Sequence, residues 1–364
     1  MKKLKKILKS LPLINKLSKH NSYRSCNEIN NFHMMFNGPY TSDNFVALCC
    51  ERIANQPATK LSKTGKETFE NIKTIRDNLL DELKSNKPTS NTAIACTNCR
   101  KSKVKKWKNS DLIRRVGIAI YPSPCQSRCI YCLGTQNKDR FQLNTEDVKE
   151  AYNTFFETIN YALENNYIAE DARWDIACGE ITIHPYKEKI YELVKGKHAR
   201  FSTNCFVYDE SIGKNLSENS RSLMELSIDA GTPESWRKVK GFNNFDTITE
   251  NLQKYRNNCI SPEQITLKYV MLPDINDNKE DFDSLIEIMQ SLDVTHLRIS
   301  RDHLRRYSKT DDGNEVLEIA TESAEHKTKV ISGTRTLIET LKKHGFTYNL
   351  AFFHPDEIDR IESK

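Results

Sequence analysis

Three cysteines, Cys125, Cys129 and Cys132, stand within Pro124-Cys125-Gln126-Ser127-Arg128-Cys129-Ile130-Tyr131-Cys132. Thiolates are soft ligands that suit zinc and iron–sulfur clusters. Three thiolates in one short loop can hold three irons of a [4Fe–4S] cube and leave the fourth open to a substrate or cofactor. A closed structural zinc site would need a fourth ligand, such as His33 or a distant Cys. A second set comes earlier: Cys26, the vicinal pair Cys49-Cys50, and the Cys96-Thr97-Asn98-Cys99 hairpin. Cys26, one of Cys49 and Cys50, Cys96 and Cys99 make four thiolates, enough for a closed [4Fe–4S] cluster or a zinc ion. Adjacent side chains rarely face one metal together, so the pair leaves one ligand ambiguous. Cys178, Cys205 and Cys259 complete the eleven.

So many cysteines suggest either a disulfide framework or metal chemistry. The longest apolar stretch near the N-terminus, Leu11–Ile14, is shorter than the core of a secretory signal. A cytoplasmic location with reduced thiols is therefore expected, which favours metal binding or redox chemistry.

Strands and helices must position these residues. A short apolar strand over 116–121 leads straight into the triplet. Further strands are expected at 174–177, 200–203, 223–228, 265–271 and 296–299, with helices near 145–165, 246–257 and 279–291. Six strands separated by helices mean βα units, a parallel sheet and right-handed connections. Periodicity alone leaves an open doubly wound sheet and a partial barrel both standing. In either, ligands bind beyond the C-terminal strand ends, where the triplet loop sits. Upstream, residues 24–110 show weak periodicity apart from a polar helix over 66–84 and a loop at 87–91. Downstream, 313–344 reads as a long helix and 348–353 as a strand.

The triplet, with Tyr131 just before its last Cys, resembles the radical S-adenosylmethionine (SAM) superfamily, and later segments resemble that family's strand ends in order. They are Ala177-Cys178-Gly179-Glu180-Ile181, Phe201-Ser202-Thr203-Asn204-Cys205, Leu226-Ser227-Ile228-Asp229-Ala230-Gly231, and Leu267-Lys268-Tyr269-Val270 with Pro273-Asp274-Ile275-Asn276-Asp277. The resemblance spans about 112–305. It implies a partial (β/α)6 TIM-like barrel, with a smaller Cys-rich N-terminal module and a C-terminal helix–strand extension. It also implies a [4Fe–4S] cluster on Cys125, Cys129 and Cys132, and SAM as cofactor. Reductive cleavage of SAM would then yield a 5′-deoxyadenosyl radical that abstracts hydrogen from an unactivated carbon. By motif match Tyr131 would lie against the adenine, Gly179 and Glu180 would receive the SAM amino group, and Ser202, Asn204 and Asp229 would lie near ribose or substrate. The N-terminal cysteines resemble an auxiliary-cluster module of the SPASM or twitch type, although such modules usually lie C-terminal.

The chain departs from the family pattern where glycines are usual, with Cys178 and Cys205, and has Ile181 in place of a proline. Glycine serves where backbone must approach a ligand closely. The two cysteines read either as small core residues or as thiol hydrogen-atom donors. His184, His296 and His303 are acid–base candidates by position only.

The domains expected are a basic amphipathic arm over 1–24, the Cys-rich module over 25–110, the radical SAM core over 111–310 and a C-terminal extension over 311–364. Charge bears on partners. Of 55 Lys and Arg, eight lie in residues 1–27 and eight in 100–115; of 49 Asp and Glu, one lies in those segments. The remaining 39 basic and 48 acidic residues make an acidic body, which disfavours a general nucleic-acid binder. The arm could make at most a peripheral membrane contact through residues 1–20. The run Arg100–Lys108, which includes Trp107, could meet RNA, an acidic substrate, or a reducing partner such as flavodoxin or ferredoxin. The leading functional expectation is dehydrogenation, epimerisation or crosslinking of a small molecule or peptide. The alternatives are an RNA-modifying enzyme of the same superfamily, and a non-catalytic iron–sulfur or zinc module docking RNA or membrane.

Overall fold

A computed structural model describes residues 22–37, 45–49, 57–99, 101–120, 123–132, 135, 145–177, 179–302, 305–309, 315–319 and 322–363, with 305–309 and 315–319 described by backbone alone. The arm over 1–20, Cys50, Arg100, Cys178 and His303 lie outside the described residues. The chain forms two compact units, 1–120 with 146–172, and 121–145 with 173–364.

The first unit contains β1 (Ser22–Ser25), α1 (Asn27–Asn30), β2 (His33–Asn37), β3 (Phe45–Ala47), β4 (Ala58–Lys60), α2 (Gly65–Lys84), α3 (Asn91–Asn98), β5 (Lys103–Lys106), β6 (Ile113–Ala119) and α4 (Glu146–Glu164). It also takes the first half of β7 (Ile168–Ile176). β2 pairs parallel with β6 and antiparallel with β3, which pairs with β4; β1 and β5 form a separate antiparallel ribbon. Among the described residues, the weakly periodic stretch from 22 to 110 therefore conceals five strands. Each has three to five residues, too few for alternation to stand out.

The polar helix expected at 66–84 is α2, capped by Thr64, whose hydroxyl accepts from the Glu67 amide at 3.2 Å. α2 packs on α4 at Gly65, where a Cβ would lie 2.3 Å from the Glu157 backbone. Arg76 of α2 is buried because its guanidinium donates to the carbonyls of Ile29 at 2.9 Å and Ser110 at 2.6 Å and lies over the Phe32 ring. A buried charge needs such partners.

The second unit holds the end of β7, α5 (Lys187–Val194), β8 (Ala199–Thr203), α6 (Glu210–Glu218), β9 (Leu223–Ser227), α7 (Pro233–Lys240), α8 (Phe245–Asn258), β10 (Ile265–Met271), α9 (Lys279–Ser291) and β11 (His296–Arg301). β12 (Arg305–Lys309), β13 (Glu315–Ile319), α10 (Ala324–Lys343), β14 (Thr347–Ala351) and α11 (Pro355–Glu362) follow. Its parallel strands run in the order β7-β8-β9-β10-β11-β14. Neighbours in space are neighbours in sequence, apart from the β12–β13 hairpin. A doubly wound sheet would reverse its order at a switch point; this one winds in a single sense, as a partial TIM-like barrel does.

Side chains alternate across the sheet. One face buries Phe201, Met224, Leu226, Leu267, Tyr269, Leu297 and Ile299. The other carries a charge ladder from strand to strand, in which Arg173 and Arg200 meet Asp175, and Arg200 and Arg298 meet Glu225.

The tail departs from the sequence expectation. The helix expected over 313–344 begins at Ala324, where the Ser323 hydroxyl accepts from the His326 amide at 3.0 Å. Residues 315–319 instead pair antiparallel with 305–309. Glu315-Val316-Leu317-Glu318-Ile319 carries β-branched residues suited to a strand, and a serine cap marks where a helix starts. The expected C-terminal strand is β14, parallel to β11. Among the described residues no helix is long and apolar enough to cross a membrane.

Candidate metal centre

In the second unit, the Cys125–Cys132 loop is held by main-chain bonds to two elements. Arg128 N donates to the Lys240 carbonyl at 3.0 Å and Ile130 N to that of Val239 at 3.1 Å, so the end of α7 supports the loop. Gly241 ends α7 with φ +75°, and a Cβ there would lie 3.0 Å from Arg128 Cβ. On the other side Glu180 N donates to the Pro124 carbonyl at 2.7 Å. Gly179 has φ +49°, and a Cβ would come within 2.5 Å of Pro124 O, so a side chain has neither the conformation nor the space.

Cys125, Cys129 and Cys132 are all half-buried. Asn204 Nδ2 lies 3.6 Å from Cys125 Sγ, and Ser127 Oγ lies 3.0 Å from Cys129 Sγ. Burial, the Glu180 carboxylate and the Cys129 and Cys132 thiols together push the Cys125 thiol up to about 12.

Glu180 is wholly buried. Its Oε1 accepts from the Thr182 amide, the Thr182 hydroxyl and the Thr203 hydroxyl, at 2.8–3.2 Å, and Oε2 accepts from Asn204 N at 2.6 Å. Burial still raises its pKa above the usual range, against those bonds. The carboxylate therefore ties the ends of β7 and β8 together beneath the cysteine loop. Ser202 is half-buried on β8, and Asn204 follows that strand.

Tyr131 packs on Val239, Val270 and Leu272. Its hydroxyl bonds Asp229, which is wholly buried with φ +50° just beyond β9. Asp229 Oδ1 accepts from Val270 N at 2.7 Å, and its carbonyl accepts from Asn276 Nδ2 at 2.8 Å. The ammonium of Lys240 pairs with Asp229 and reaches Tyr131 Oη at 3.2 Å. Burial alone would lower the Lys240 pKa; Asp229 and the thiols of Cys129 and Cys125 outweigh it and hold it high. Burial and Asp229 raise the Tyr131 phenol well above its usual value. Lys240 was missed from sequence, because a lysine in the last turn of a helix reads as an ordinary exposed residue.

The remaining candidates separate. Cys205 is wholly buried at φ +57°, in the position where the family pattern has glycine. Cys259 donates to the Tyr255 carbonyl at 3.3 Å at the end of α8, away from the triplet in sequence and bonding. His184 is buried, and burial depresses it to about 4 while its Nδ1 accepts from the Tyr186 amide. His296 sits at the first residue of β11 and bonds Thr347, at the strand end opposite to the cysteine loop.

In the first unit, Cys26, Cys49, Cys96 and Cys99 border one small cavity. Burial and the other three thiols push the Cys96 thiol up to about 12. The candidate zinc ligand His33 lies 2.8 Å from Glu28, which also pairs with Arg115 at 3.1 Å. Trp107, considered for base stacking, spends its N–H on the Tyr23 carbonyl at 2.9 Å and carries Lys105 over its ring at 3.9 Å.

The donor set suits a thiolate-held cluster. The neighbouring Cys129 and Cys132 thiols add to the cost of ionising Cys125, and a cationic iron–sulfur core would reverse that. Among the described residues no three His, Cys, Asp or Glu side chains are arranged to hold a single metal ion.

Residues 123–289 match the family model described as the radical SAM superfamily. No curated protein matches the chain. Among solved structures, Streptococcus suis SuiB is 11% identical, with 81% of this chain and 57% of that one covered at a TM-score of 0.47. The same protein bound to S-adenosylmethionine is 13% identical, with 90% and 76% covered at 0.46. A radical SAM methyltransferase from Sphaerobacter thermophilus is 12% identical, with 65% of each chain covered at 0.41. The chain thus spans little more than half of the first of these.

Proposed function

Since this chain carries a radical SAM domain over residues 123–289, we propose that it abstracts hydrogen from a small-molecule or peptide substrate, in a dehydrogenation, epimerisation or crosslinking. The domain implies a [4Fe–4S] cluster and SAM, and Cys125, Cys129 and Cys132 would hold the cluster. When bound, cluster and SAM together supply reductive S–C cleavage and a hydrogen-abstracting 5′-deoxyadenosyl radical. The protein's own part is positioning.

The observation that carries this reading is how the cysteine loop meets the strand ends. Glu180 N to Pro124 O at 2.7 Å and Asn204 Nδ2 to Cys125 Sγ at 3.6 Å set a buried carboxylate and an amide beside three half-buried thiols. Glu180 and Asn204 offer an acceptor and a donor suited to the amino and carboxylate groups of SAM. Tyr131, fixed by Asp229 and Lys240, offers an aromatic edge for the adenine. Ser202 has the polarity to face ribose or substrate. A polar substrate is favoured by the ladder of Arg200, Glu225 and Arg298 along the half-exposed face of the sheet. A second cluster in the first unit and a flavodoxin- or ferredoxin-like reductant belong to the same reading.

The test is anaerobic incubation of the reconstituted protein with SAM and dithionite, following 5′-deoxyadenosine. Product is expected. Its absence from protein with an intact cluster and bound SAM would overturn the proposal.

A further inference from the structure

We propose that the charged face of the sheet in the second unit holds an oxyanion site, formed by Lys268, Arg298 and Ser300, that takes a carboxylate or phosphate group of the substrate. That the anion belongs to a substrate rests on the reading above; the site itself does not.

The ladder on this face does not balance. From Arg173 on β7 across to β11, among the described residues, Arg173, Arg200, Lys268 and Arg298 stand against only Asp175 and Glu225. Both carboxylates are already shared. Asp175 meets Arg173 at 3.1 Å and Arg200 at 3.8 Å. Glu225 meets Arg200 at 2.5 Å and also Arg298. Lys268 is half-buried, and its ammonium has no ion-pair or hydrogen-bond partner among the described residues.

Register sets this lysine beside another cation. Lys268 on β10 stands directly opposite Arg298 on β11 and Ser227 on β9. Alternation sends Lys268 and Arg298 to one face, away from the buried Leu267, Tyr269, Leu297 and Ile299. Neighbouring strands lie about 4.8 Å apart. Like charges directly opposite each other destabilise a sheet. An oxyanion between the ammonium and the guanidinium converts that repulsion into charge-assisted hydrogen bonds. Ser300 lies two residues beyond Arg298 on β11, on the same face. It is 1% exposed, and its hydroxyl has no hydrogen-bond partner among the described residues. A buried hydroxyl without a partner costs free energy, and here it supplies a further donor.

The place suits a substrate anchor. Val270 follows Lys268 by two residues on β10 and packs against Tyr131, the neighbour of Cys132. At about 3.3 Å per residue, the cation pair lies about 7 Å along the strand from the residue that Tyr131 touches. An anionic group held there fixes the substrate through atoms remote from the reacting carbon, which is how binding energy serves orientation.

The test uses the full-length, cluster-loaded chain under anaerobic conditions without reductant. Equilibrium dialysis follows inorganic phosphate and, separately, succinate, each with and without SAM. Saturable binding of one or both is expected, undiminished by SAM, and the tighter of the two tells a phosphate group from a carboxylate. Lys268→Met should weaken binding at least about tenfold, the worth of a hydrogen bond to a charged group. Lys268→Arg should retain most of it. Lys279→Met, at a side chain 85% exposed, should change nothing. Because Lys268 faces a cation and no carboxylate, Lys268→Met should not lower the melting temperature of the anion-free protein. In the unaltered chain, the bound anion should slow acylation of Lys268 by acetic anhydride, read by peptide mass spectrometry, and leave Lys279 unprotected.

No saturable binding of either anion would overturn the site, as would displacement of the anion by SAM. Equal weakening by Lys268→Met and Lys279→Met would reduce it to a diffuse charge effect and overturn it too. So would acylation of Lys268 at an unchanged rate. The radical SAM reading fails separately: absence of 5′-deoxyadenosine from protein with cluster and SAM bound leaves a measured anion site standing.

Discussion

The two cysteine regions solve different problems. The triplet of the second unit is backed by polar and ionised groups: Glu180 with four hydrogen bonds, Asn204 beside Cys125, and the buried Asp229, Lys240 and Tyr131. The quartet of the first unit borders a cavity with Ile29 and Leu83 in its wall. Three thiols leave a metal position open, so the surroundings must receive a polar ligand without rearranging, and buried polar groups can do so only when they are themselves satisfied. Four thiols on one cluster would close the position, and shape alone would then be sufficient. The difference is one of ligand count, carried outward into the neighbouring residues.

The comparison breaks first at the triplet. Replacing Cys125, Cys129 or Cys132 singly with Ala is expected to reduce 5′-deoxyadenosine formation to background. Turnover surviving any one of these changes would remove the open site from the argument.

Lys240→Met tests the polar backing. It leaves the Asp229 carboxylate buried without its cation, and breaking such a pair costs about 3–5 kcal/mol. Urea unfolding measures it, with Lys240→Arg recovering part of the loss. A cost below about 1 kcal/mol would mean that the ion pair is incidental. In protein that remains folded, the cluster potential should fall, because a positive charge near the cluster has been removed.

His184 provides a pH signature. Burial holds it near 4, against an ordinary 6.5. The unfolded chain therefore takes up a proton that the folded chain refuses between those values. Its contribution is fully present above about pH 6.5 and falls away toward pH 4, by about 3 kcal/mol in all. His184→Phe should flatten that part of the stability–pH curve; an unchanged slope would place the proton elsewhere.

Gly179→Ala forces a Cβ toward Pro124 O at a positive φ and should cost about 1–3 kcal/mol. Iron held by the triplet should become labile to chelators, while iron held by the quartet does not. Equal lability at both would show that Gly179 acts on the whole fold. The smallest effect is expected at Cys205. As a core thiol, its replacement by Ala should leave product formation per cluster unchanged; loss of product with SAM cleavage intact would revive the hydrogen-donor reading.

Much of the parallel sheet could be read from sequence, because β8, β9 and β10 carry the motif segments at their ends, and β10 and β11 run to seven and six residues. The end of β7 and the beginning of β14 could be read as well. The hairpin of β12 and β13 could not: a run of charged and apolar residues ahead of a helix fits the helical period as well as the strand period until the Ser323 cap is seen. The short strands of the first unit were hidden for a similar reason. At the candidate site, the residues that carry motifs were legible. Lys240 was not, since its role depends on Asp229, eleven positions away on another element.

The sequence by itself determined the ligand types: a soft-thiolate triplet, five further cysteines ahead of it, and the strand-end segments that follow. Ligand type and local spacing are properties of a short segment. Only the tertiary structure decided that Cys49 borders the cavity of the quartet, that Glu180 ties two strands beneath the cysteine loop, and that Lys240 is buried as the counter-ion of Asp229. Each of those depends on residues brought together across distance in the chain, where burial and neighbouring charge, rather than residue type, set what a side chain can do.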